Sequence, residues 1–348
     1  MKIVQIMATS GGGLGGLEQH TFNLVNALAE EHEVHFIALD VYAKQVHSKV
    51  HFHAFDFARS RLNPLLWWQL ARLIQQIQPD IVHAQAGKAA ELIKRIRSYL
   101  PKQAKVVTTV HGTKKNKAIY AHADAVIAVS SALTADIPEH KAHVIYNGVH
   151  PQPSLTATQA QALKAQVLAQ HPALDPSQKT VICIGRLEPV KNIALLIQAM
   201  QGIHANLWIV GDGSLRVALE QQVKDLNMSQ QVAFLGFRSD ARDLLQLADV
   251  VALSSEREGF PLVMVEALQA EKIMVSTKVN GVVEWLPTEA LADLNDMQGL
   301  QQALKTALAT NPQQAPHWAA LFKRAQQQLT VGSMAQQTAA LYQQLLVH

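Results

Sequence analysis

The stretch that decides the fold is Ser254–Thr277, which reads SSEREGFPLVMVEALQAEKIMVST. The apolar run DVVALSS leads into it, and the helix pattern LVMVEALQA follows Pro261. A strand, a sharp turn and a helix N-terminus together present backbone N–H groups to an anion. Glycine permits the turn at Gly259, and Pro261 suits the first helical turn, where its missing donor costs nothing. We therefore expect one unit of a parallel α/β sheet with an anion-binding turn.

Two acids frame this turn. Glu258 lies at its mouth, and Glu266 follows eight residues later, roughly two helical turns, so that both can reach one crevice. Taken singly, each is equally compatible with an exposed surface position, because most glutamates are exposed. Together they suit a ligand with hydroxyl groups on both sides of a phosphate, and a nucleotide sugar is such a ligand.

The strand–loop–helix pattern repeats through the second half of the chain, in the runs TVICIG, ANLWIVG, QVAFLG and KIMVST. Arg186 and Lys191, in GRLEPVKN, follow the first of these strands. Two fixed cations would stabilise the negative charge that grows on a departing diphosphate, without a metal. Singly, each is better explained as an exposed loop residue, paired for example with Glu188. Next to Glu258 and Glu266, the functional interpretation is favoured.

The first half opens with a predicted strand, Lys2–Ala8, a glycine loop over Gly11–Gly16 and a helix from Leu17. Gly11, Gly13 and Gly16 satisfy G-x-G-x-x-G, and the next strand, EVHFIAL, ends at Asp40. This matches the dinucleotide fingerprint, including its ribose-binding acid. An NAD-dependent oxidoreductase therefore stays open as an alternative, although a five-glycine loop matches so short a motif easily.

Further α/β units follow. Strands DIVHA, KVVTTV, DAVIAVS and HVIYN alternate with helices, which predicts a parallel doubly wound sheet with ligands at the carboxyl ends of its strands. His111 lies at such an end, before Gly112, and is expected at the site. His83 would share that rim, but His20, His83 and His122 are better explained as packing or surface residues. The predicted helices are Pro64–Ile77, Lys88–Leu100, Asn116–His122 and a short one from Ser131.

The region from Asn147 to Lys179 reads as a domain boundary, with prolines at 151, 153, 172 and 176 around a Gln/Ala-rich helix, Thr156–Gln170. We therefore expect two tandem Rossmann-like domains, residues 1–150 and 151–331, that face a central cleft. The crevice between two such domains is the natural ligand site.

Composition supports a folded, two-domain protein. The chain has 348 residues, of which 49% are apolar and 16% charged, a composition that favours a folded chain over a disordered one. No apolar run reaches the length of a membrane-spanning helix, and the N-terminal residues show no secretory pattern. Cys183, the one cysteine, lies in an apolar run, and we expect a buried thiol rather than a nucleophile. These features favour the cytoplasm.

Positive charge is concentrated in the first half. Residues 1–150 carry 16 Lys/Arg against 11 Asp/Glu, and the remainder carries 14 against 16. The stretch Lys88–Lys117 holds nine basic residues and one acid, Glu91. A solvated basic face is the usual outcome, whereas the functional alternative is a surface that contacts an anionic membrane or acceptor. Nucleic acid ranks last, because no recognition helix or aromatic stretch accompanies the charge.

Along most of its length the sequence resembles glycosyltransferase family 4, the retaining enzymes of the two-domain GT-B fold. The arginine–lysine pair together with E-x7-E is specific to that family, whereas the glycine loop is not. The motifs that carry the resemblance are GGLEQH (15–20), the His111-Gly112 pair, VIYNGV (144–149), GRLEPVKN (185–192), IVGDGSL (209–215), VAFLGF (232–237), LADVVALSSEREGFPLVMVEAL (247–268) and Gly281 to Glu284.

The resemblance implies roles for individual residues. Arg186 and Lys191 would hold the donor diphosphate, Glu266 the ribose hydroxyls, and His111 the donor sugar near its reacting carbon. The implied catalytic residues are His111, Arg186, Lys191 and Glu258. Donor binding is implied for Gly15, Gly16, Arg186, Lys191, Gly211, Phe237, Arg238, Glu258, Gly259, Phe260, Leu262, Val263 and Glu266, with Phe237 and Arg238 beside the base and Gly15 and Gly16 against the diphosphate and acceptor.

The resemblance also implies a domain layout and a reaction. Residues 1–150 would bind the acceptor, residues 151–331 would bind the donor, and a helix over about 332–348 would return to the first domain. The expected enzyme moves a hexose-type sugar from a UDP- or GDP-sugar to a cell-envelope glycan or glycolipid such as lipopolysaccharide, at the inner face of the cytoplasmic membrane. It retains the anomeric configuration and needs no metal or cofactor.

Two departures from the family pattern adjoin the expected donor pocket. Gln269-Ala270-Glu271 replaces the usual A-x-G, and the segment G-x-x-G-L-L-V after Gly281 is missing. Besides the oxidoreductase, a non-catalytic module that binds a nucleotide sugar therefore stays an alternative. A phosphorylase with the same fold is a lesser one, for which the sequence shows no phosphate-accepting site.

Overall fold

The computed structural model describes residues 1–9, 11, 13–112, 119–120, 122–135 and 137–347. They form two compact units, which we call unit 1, Met1–His150 with Gln328–His348, and unit 2, Pro151–Gln327. The sequence pattern places the borders after residues 150 and 331, and the packing places them after residues 150 and 327.

Unit 1 is built on a parallel sheet of seven strands in the order β3-β2-β1-β4-β5-β6-β7. The order reverses between β1 and β4, which makes their carboxyl ends the switch point where ligands bind in such sheets. The strands are β1 (Lys2–Met7), β2 (Glu33–Ala38), β3 (His51–Ala54), β4 (Ile81–Gln85), β5 (Lys105–Val110), β6 (Ala125–Ala128) and β7 (Ala142–Val144).

Three α-helices cover this sheet: α1 (Gly16–Leu28), α2 (Pro64–Ile77) and α3 (Ala86–Ile96). Asn63 begins α2 because its side chain accepts from the Leu65 N–H at 2.9 Å, and Pro64 fills the first helical position. Short 3₁₀ helices lie at Asp40–Gln45, Arg97–Tyr99, Ser131–Thr134 and Glu139–Lys141.

Unit 2 repeats the plan with six parallel strands in the order β10-β9-β8-β11-β12-β13. These are β8 (Lys179–Ile184), β9 (Ala205–Val210), β10 (Val232–Gly236), β11 (Val250–Leu253), β12 (Ile273–Thr277) and β13 (Leu291–Ala292). Its helices are α4 (Ala157–Gln170), α5 (Ile193–Ala199), α6 (Arg216–Asp225), α7 (Ala241–Leu247), α8 (Leu262–Gln269), α9 (Met297–Ala309) and α10 (Pro316–Gln328), with 3₁₀ turns at Pro189–Lys191, Val282–Glu284, Thr288–Ala290 and Pro312–Gln314.

The last helix, α11 (Val331–Val347), completes the core of unit 1. Its Met334 and Tyr342 are buried in one cluster with Phe22 and Val25 of α1. Val149 pairs with Thr330 in an isolated bridge, and a Cβ on Gly148 would lie 2.1 Å from the Thr330 carbonyl oxygen. The two chain segments are therefore in direct backbone contact.

The α/β prediction is confirmed in both units, with small differences at the ends of elements. The predicted helix Lys88–Leu100 starts earlier and turns into a 3₁₀ helix after Ile96. Strands β3 and β13 are not predicted from the sequence. Most of the helix expected over Asn116–His122 lies outside the described residues. Within the described part of the chain, no helix is both long enough and apolar enough to cross a membrane.

Candidate functional site

The loops that follow β8, β9 and β10 are joined through their backbones. The Gly185 N–H donates to the Val210 carbonyl at 2.9 Å, and the Gly211 N–H donates to the Gly236 carbonyl at 2.7 Å. Gly211 has φ +131°, and a Cβ there would lie 2.0 Å from the Gly185 oxygen. Only glycine allows this approach. The glycines of IVGDGSL thus hold the GRLEPVKN loop in place.

Lys191 and Glu258 meet at the carboxyl ends of two neighbouring strands, β8 and β11. The Lys191 Nζ lies 2.6 Å from the Glu258 Oε1, and the Ser255 hydroxyl donates to the same oxygen at 2.7 Å. The Ser254 hydroxyl donates to the Lys191 carbonyl at 2.9 Å, which ties the two loops together. Because the side chains of Lys191 and Glu258 are only 22% and 14% exposed, the pair is a partly buried, ordered charge pair.

The turn after Glu258 offers its backbone rather than its side chains. Phe260 is buried and packs edge-on against Trp285, with ring centroids 6.4 Å apart. Gly281, at φ +78°, lies so close that a Cβ would be 2.9 Å from the Gly259 oxygen. Helix α8 starts just beyond, after Pro261, and its first N–H groups have no partner within the helix. The turn therefore offers a ligand its backbone N–H groups rather than the Phe260 side chain. Leu262 and Val263 lie beside these groups and are half-buried.

Arg186 is exposed and is not drawn into the Lys191–Glu258 pair. The alternative partner, Glu188, is instead hydrogen-bonded to Ser214, through its hydroxyl at 2.8 Å and its N–H at 3.2 Å. These bonds, with a smaller effect of Arg186, lower the pKa of Glu188. Arg186 thus stands at the solvent edge of the same loop.

The residues expected beside the base lie after β10. Phe237 is 83% exposed. Arg238 donates to both carboxylate oxygens of Asp240, at 2.7 and 2.6 Å. An exposed aromatic ring beside an arginine held in one position is an arrangement on which a flat base can stack.

Glu266 lies beside Arg242 in a cavity separate from the Lys191–Glu258 pair. Its Oε1 lies 3.6 Å from the Arg242 Nε, and burial raises its pKa to about 7, against the opposing effect of Arg242. Neither Lys191 nor Glu258 lines the cavity of about 350 Å³ in which Glu266 lies. The other residues that line it are Pro151, Gln152, Ser154, Arg242, Leu245, Gln246, Gln269, Ala270, Glu271 and Gln326.

The departure from A-x-G has a structural consequence at the end of α8. Glu271 takes the left-handed conformation, with φ +57°, at the position where the family pattern has glycine. Its carboxylate accepts from the Gln326 side chain at 3.0 Å. The left-handed turn is therefore kept although the glycine is not, at a cost in backbone strain.

In unit 1 the glycine loop is fastened by protein groups. The Tyr42 hydroxyl lies 2.7 Å from the Gly11 carbonyl and 3.1 Å from the Gly13 carbonyl. The Gly15 N–H, at the start of α1, donates to the Glu18 carboxylate at 3.0 Å. The expected anion cradle at Gly15 and Gly16 thus already holds a carboxylate of the chain itself, and Gly12 lies outside the described residues.

His111 ends a chain of buried hydrogen bonds. Its Nε2 lies 2.8 Å from the Gln85 Oε1, and the Gln85 amide donates to the Gln5 Oε1 at 3.0 Å. The Gln5 amide contacts both the His83 Nδ1, at 3.1 Å, and the Tyr342 hydroxyl, at 2.9 Å. The Tyr342 hydroxyl also lies 2.6 Å from the His83 Nδ1. The chain thus runs from α11 across the sheet to the end of β5.

The donor directions along this chain assign the His111 tautomer. Because the Gln85 amide nitrogen donates to Gln5, its oxygen must accept, so the His111 proton sits on Nε2 and Nδ1 carries the lone pair. Burial holds the pKa of His111 well below its usual range, and nearby His20 and His83 lower it further. His20 packs edge-on against His111 at 4.6 Å between centroids. His111 is therefore a neutral imidazole with a fixed orientation.

Sequence reasoning missed Gln5, Gln85, Tyr342 and Ser255. Gln5 and Gln85 carried a usable signal, because a polar residue within an apolar strand must find a buried partner. Tyr342 carried none, since its partners lie some 260 and 340 residues away in the chain.

One group among the described residues could hold a metal ion: Glu33, His35 and His51, at the β2–β3 edge of unit 1, with ligand atoms within 4.8 Å of one another. The rings of His35 and His51 are stacked, 4.7 Å apart and 21° from parallel. The nitrogen lone pairs of the two rings therefore lie in nearly parallel planes and do not converge on one metal position. This group belongs to unit 1, whereas the Lys191–Glu258 pair belongs to unit 2.

Two doubly wound units and these strand-end loops define a GT-B glycosyltransferase. The model described as Glycosyltransferase Family 4 matches residues 14–153, and the model Glycosyl transferases group 1 matches residues 166–320. The chain belongs to the family 4 glycosyltransferases.

Relatives of known name agree with this assignment. The chain is 28% identical over 331 residues to N-acetyl-alpha-D-glucosaminyl L-malate synthase of Bacillus anthracis, across 84% of this chain and 83% of the relative. It is 25% identical over 317 residues to the lipopolysaccharide core biosynthesis glycosyltransferase LpsD of Rhizobium meliloti, across 87% of each. The crystal structure of Anabaena HepE in complex with UDP and glucose superposes with a TM-score of 0.83 at 22% identity, across 99% of this chain and 100% of that one.

These comparisons do not favour the oxidoreductase alternative. In the structure, Asp40 is an exposed residue at the start of a 3₁₀ helix. The end of the glycine loop that suggested a dinucleotide, Gly15 and Gly16, falls within the region that the Glycosyltransferase Family 4 model matches.

Proposed function

We propose that this glycosyltransferase moves a hexose-type sugar from a UDP- or GDP-sugar to a cell-envelope glycan or glycolipid, such as lipopolysaccharide, with retention of configuration and without a metal. The binding of UDP and glucose by HepE supports the donor class. The role of LpsD in lipopolysaccharide core biosynthesis supports the acceptor class.

The observation that carries this proposal is the Lys191–Glu258 pair beside the start of α8. An ammonium group has three N–H donors, and Glu258 engages one of them, so two remain for phosphate oxygens. Glu258 receives Lys191 and Ser255 on one oxygen, which leaves the other for a sugar hydroxyl. Lys191 would thus bind the diphosphate next to the sugar that Glu258 holds.

The chemistry would be electrostatic. As the bond between sugar and phosphate breaks, negative charge grows on the diphosphate, and preorganised donors stabilise it. Lys191 and the N–H groups at the start of α8 supply such donors, and Arg186 adds a second cation. The acceptor hydroxyl would attack on the face that the diphosphate leaves. The roles of Glu266 at the ribose, of Phe237 and Arg238 at the base, and of His111 at the sugar stay predictions.

The first experiment is a thermal-shift panel with UDP, GDP, ADP and NAD. A ligand at about a hundred times its dissociation constant adds about 2.7 kcal/mol of stability, enough to raise the melting temperature by a few degrees. A shift with one nucleoside diphosphate and none with NAD supports the proposal and identifies the donor base. A shift with NAD alone would refute it.

The second experiment measures release of the nucleoside diphosphate during transfer. Lys191→Ala should lower turnover by about 10² to 10³, the range for removal of one transition-state donor. Lys224→Ala, an exposed lysine on α6, is the matched control and should leave turnover unchanged. Near-normal turnover in folded Lys191→Ala enzyme would contradict the proposed role.

A further inference from the structure

Helix α2 exposes large apolar side chains that a protein in water normally buries. Leu62 is 58% exposed, Leu65 48% and Trp68 56%. Leu65 and Trp68 lie three residues apart on the side of α2 opposite the buried Leu66 and Leu70, and Leu62 lies in the turn just before the helix. Trp68 is the one exposed tryptophan among the described residues. An exposed apolar stripe of this kind marks an interaction surface.

Basic groups border the stripe. The Arg72 guanidinium lies over the Trp68 ring at 5.2 Å, and the Arg95 guanidinium over the Trp67 ring at 5.3 Å. Arg59 and Arg61 are exposed just before α2. Tyr99, 65% exposed, joins the edge of the stripe because its carbonyl accepts from the Gln75 side chain at 2.6 Å.

Acidic residues offset only part of this charge. Arg59 lies 4.0 Å from Asp56, while Arg61 and Arg95 lie 2.8 and 2.9 Å from Glu91. The Arg59–Asp56 pair is exposed and therefore weak, whereas the Glu91 side chain is only 16% exposed and is shared by two arginines. Four arginines against two acids leave a surplus of two positive charges around the apolar stripe.

We propose that this surface, Leu62, Leu65 and Trp68 with Arg59, Arg61, Arg72, Arg95 and Tyr99, docks unit 1 on an anionic lipid bilayer. Tryptophan and tyrosine settle at the level of the lipid headgroups, and apolar side chains beside them enter the acyl boundary. Arginine binds lipid phosphate through paired N–H donors. Charge and apolar side chains on one face are what a bilayer requires, whereas a protein partner needs no surplus of cations.

This surface shares only Arg95 and Tyr99 with the stretch Lys88–Lys117 that the sequence indicated. The basic stretch Lys88–Lys117 is partly engaged by protein groups: Lys88 donates to the Phe57 carbonyl at 2.5 Å, and Arg97 pairs with Asp124 at 2.9 Å. Lys114, Lys115 and Lys117 lie outside the described residues. The apolar component of a membrane contact lies instead on α2.

The test is cosedimentation of the full chain with vesicles of phosphatidylcholine alone or with about a third phosphatidylglycerol. Binding should require the anionic lipid and weaken with salt. Trp68→Ser should weaken binding by about tenfold, because it removes an interfacial anchor, and Arg72→Gln by about fivefold, the effect of one cation near the surface. No substrate is present, so the result is independent of the proposed transfer reaction.

Matched controls come from unit 2. Val217→Ser removes an apolar side chain of α6 that is 79% exposed, more than Trp68, and Lys224→Gln removes an exposed cation from the same helix. Both should bind vesicles like the unchanged chain. Equal binding of Trp68→Ser and Val217→Ser would overturn the proposal. So would a Trp68-dependent dimer in sedimentation velocity without lipid, because a second copy would then cover the stripe.

Discussion

Acidification from about pH 7.5 to about pH 5 should destabilise unit 1 selectively. Burial lowers the pKa of His20 from 6.5 to about 4 and that of His83 from 6.5 to about 3. The folded state binds a proton on these histidines more weakly than the unfolded state does. The two histidines therefore cost unit 1 no stability above about pH 6.5, and the free energy of unfolding of unit 1 decreases as the pH falls from there towards 4. His111 acts in the same direction.

The magnitude follows from these values. At about pH 5 each of His20 and His83 is almost fully protonated in the unfolded chain and largely neutral in the folded one, which amounts to a loss of about 2 kcal/mol for each. The two together remove about 4 kcal/mol, a large part of the stability of an ordinary domain. Carboxylates such as Glu30 and Glu33, whose pKa is lowered by hydrogen bonds from Lys49 and His35, contribute only below about pH 4.5.

Glu266 gives unit 2 a contribution of the opposite sign. Burial raises the pKa of Glu266 in the folded state from 4.5 to about 7. The burial of this carboxyl therefore costs unit 2 no stability below pH 4.5, and it lowers the stability of unit 2 as the pH rises from 4.5 through 7. Acidification over the same interval therefore favours the folded state at this site, and unit 2 should lose less stability than unit 1.

Hydrogen exchange resolves the two units, since the opening free energies of amides in β1 and β4 report on unit 1 and those in β8 and β11 on unit 2. Rates at the two pH values are corrected for intrinsic exchange. The exposed His140→Gln variant is the control and should keep the pH dependence. A change of less than about 1 kcal/mol in the slowest amides of unit 1 would refute the reasoning.

Three substitutions, the first with a matched control at Gly202, give further tests by denaturant or thermal unfolding. Gly211→Ala should lower the free energy of unfolding by several kcal/mol, because a Cβ would lie 2.0 Å from the Gly185 oxygen. Gly202→Ala, at φ +72° with nothing within 4 Å of the added Cβ, should lower it by only about 1 kcal/mol. Equal losses in the two variants would contradict the steric argument. Glu271→Gly should raise stability by about 0.5 to 1 kcal/mol, because φ +57° then carries no strain, and a loss would mean that the Gln326 contact outweighs the strain. Tyr342→Phe should cost about 1 to 3 kcal/mol by leaving buried partners unsatisfied, and an unchanged melting temperature would show that the hydrogen-bond chain is dispensable.

The fold could be predicted from the sequence because its signals are local. Continuous apolar strands such as Val250–Leu253, glycine at strand ends and the N-cap at Asn63 each act within a few residues. The proximity of Lys191 and Glu258 also followed, since both loops lie at carboxyl ends of one parallel sheet.

Other features depend on distant contacts. The cavity of Glu266 is formed by elements up to 115 residues before it and 60 after it, and helical spacing from Glu258 does not reveal which way its side chain points. The exposure of Trp68 depends on which side of α2 packs on the rest of unit 1, and no local pattern in the sequence indicates it. The hydrogen-bond chain behind His111 needs Tyr342, which no local pattern connects with Gln5.

Helix α11 has a consequence for synthesis on the ribosome. Unit 1 begins at residue 1, yet Met334 and Tyr342 of its core are translated about 190 residues after His150, at about 5 to 20 residues per second. The apolar surface of α1 that these residues cover is thus exposed on the nascent chain for about 10 to 40 seconds. All of unit 2 is translated in that interval. Unit 1, which starts before unit 2, therefore completes its core after unit 2 has been translated, and the apolar surface of α1 stays open to aggregation until α11 is made.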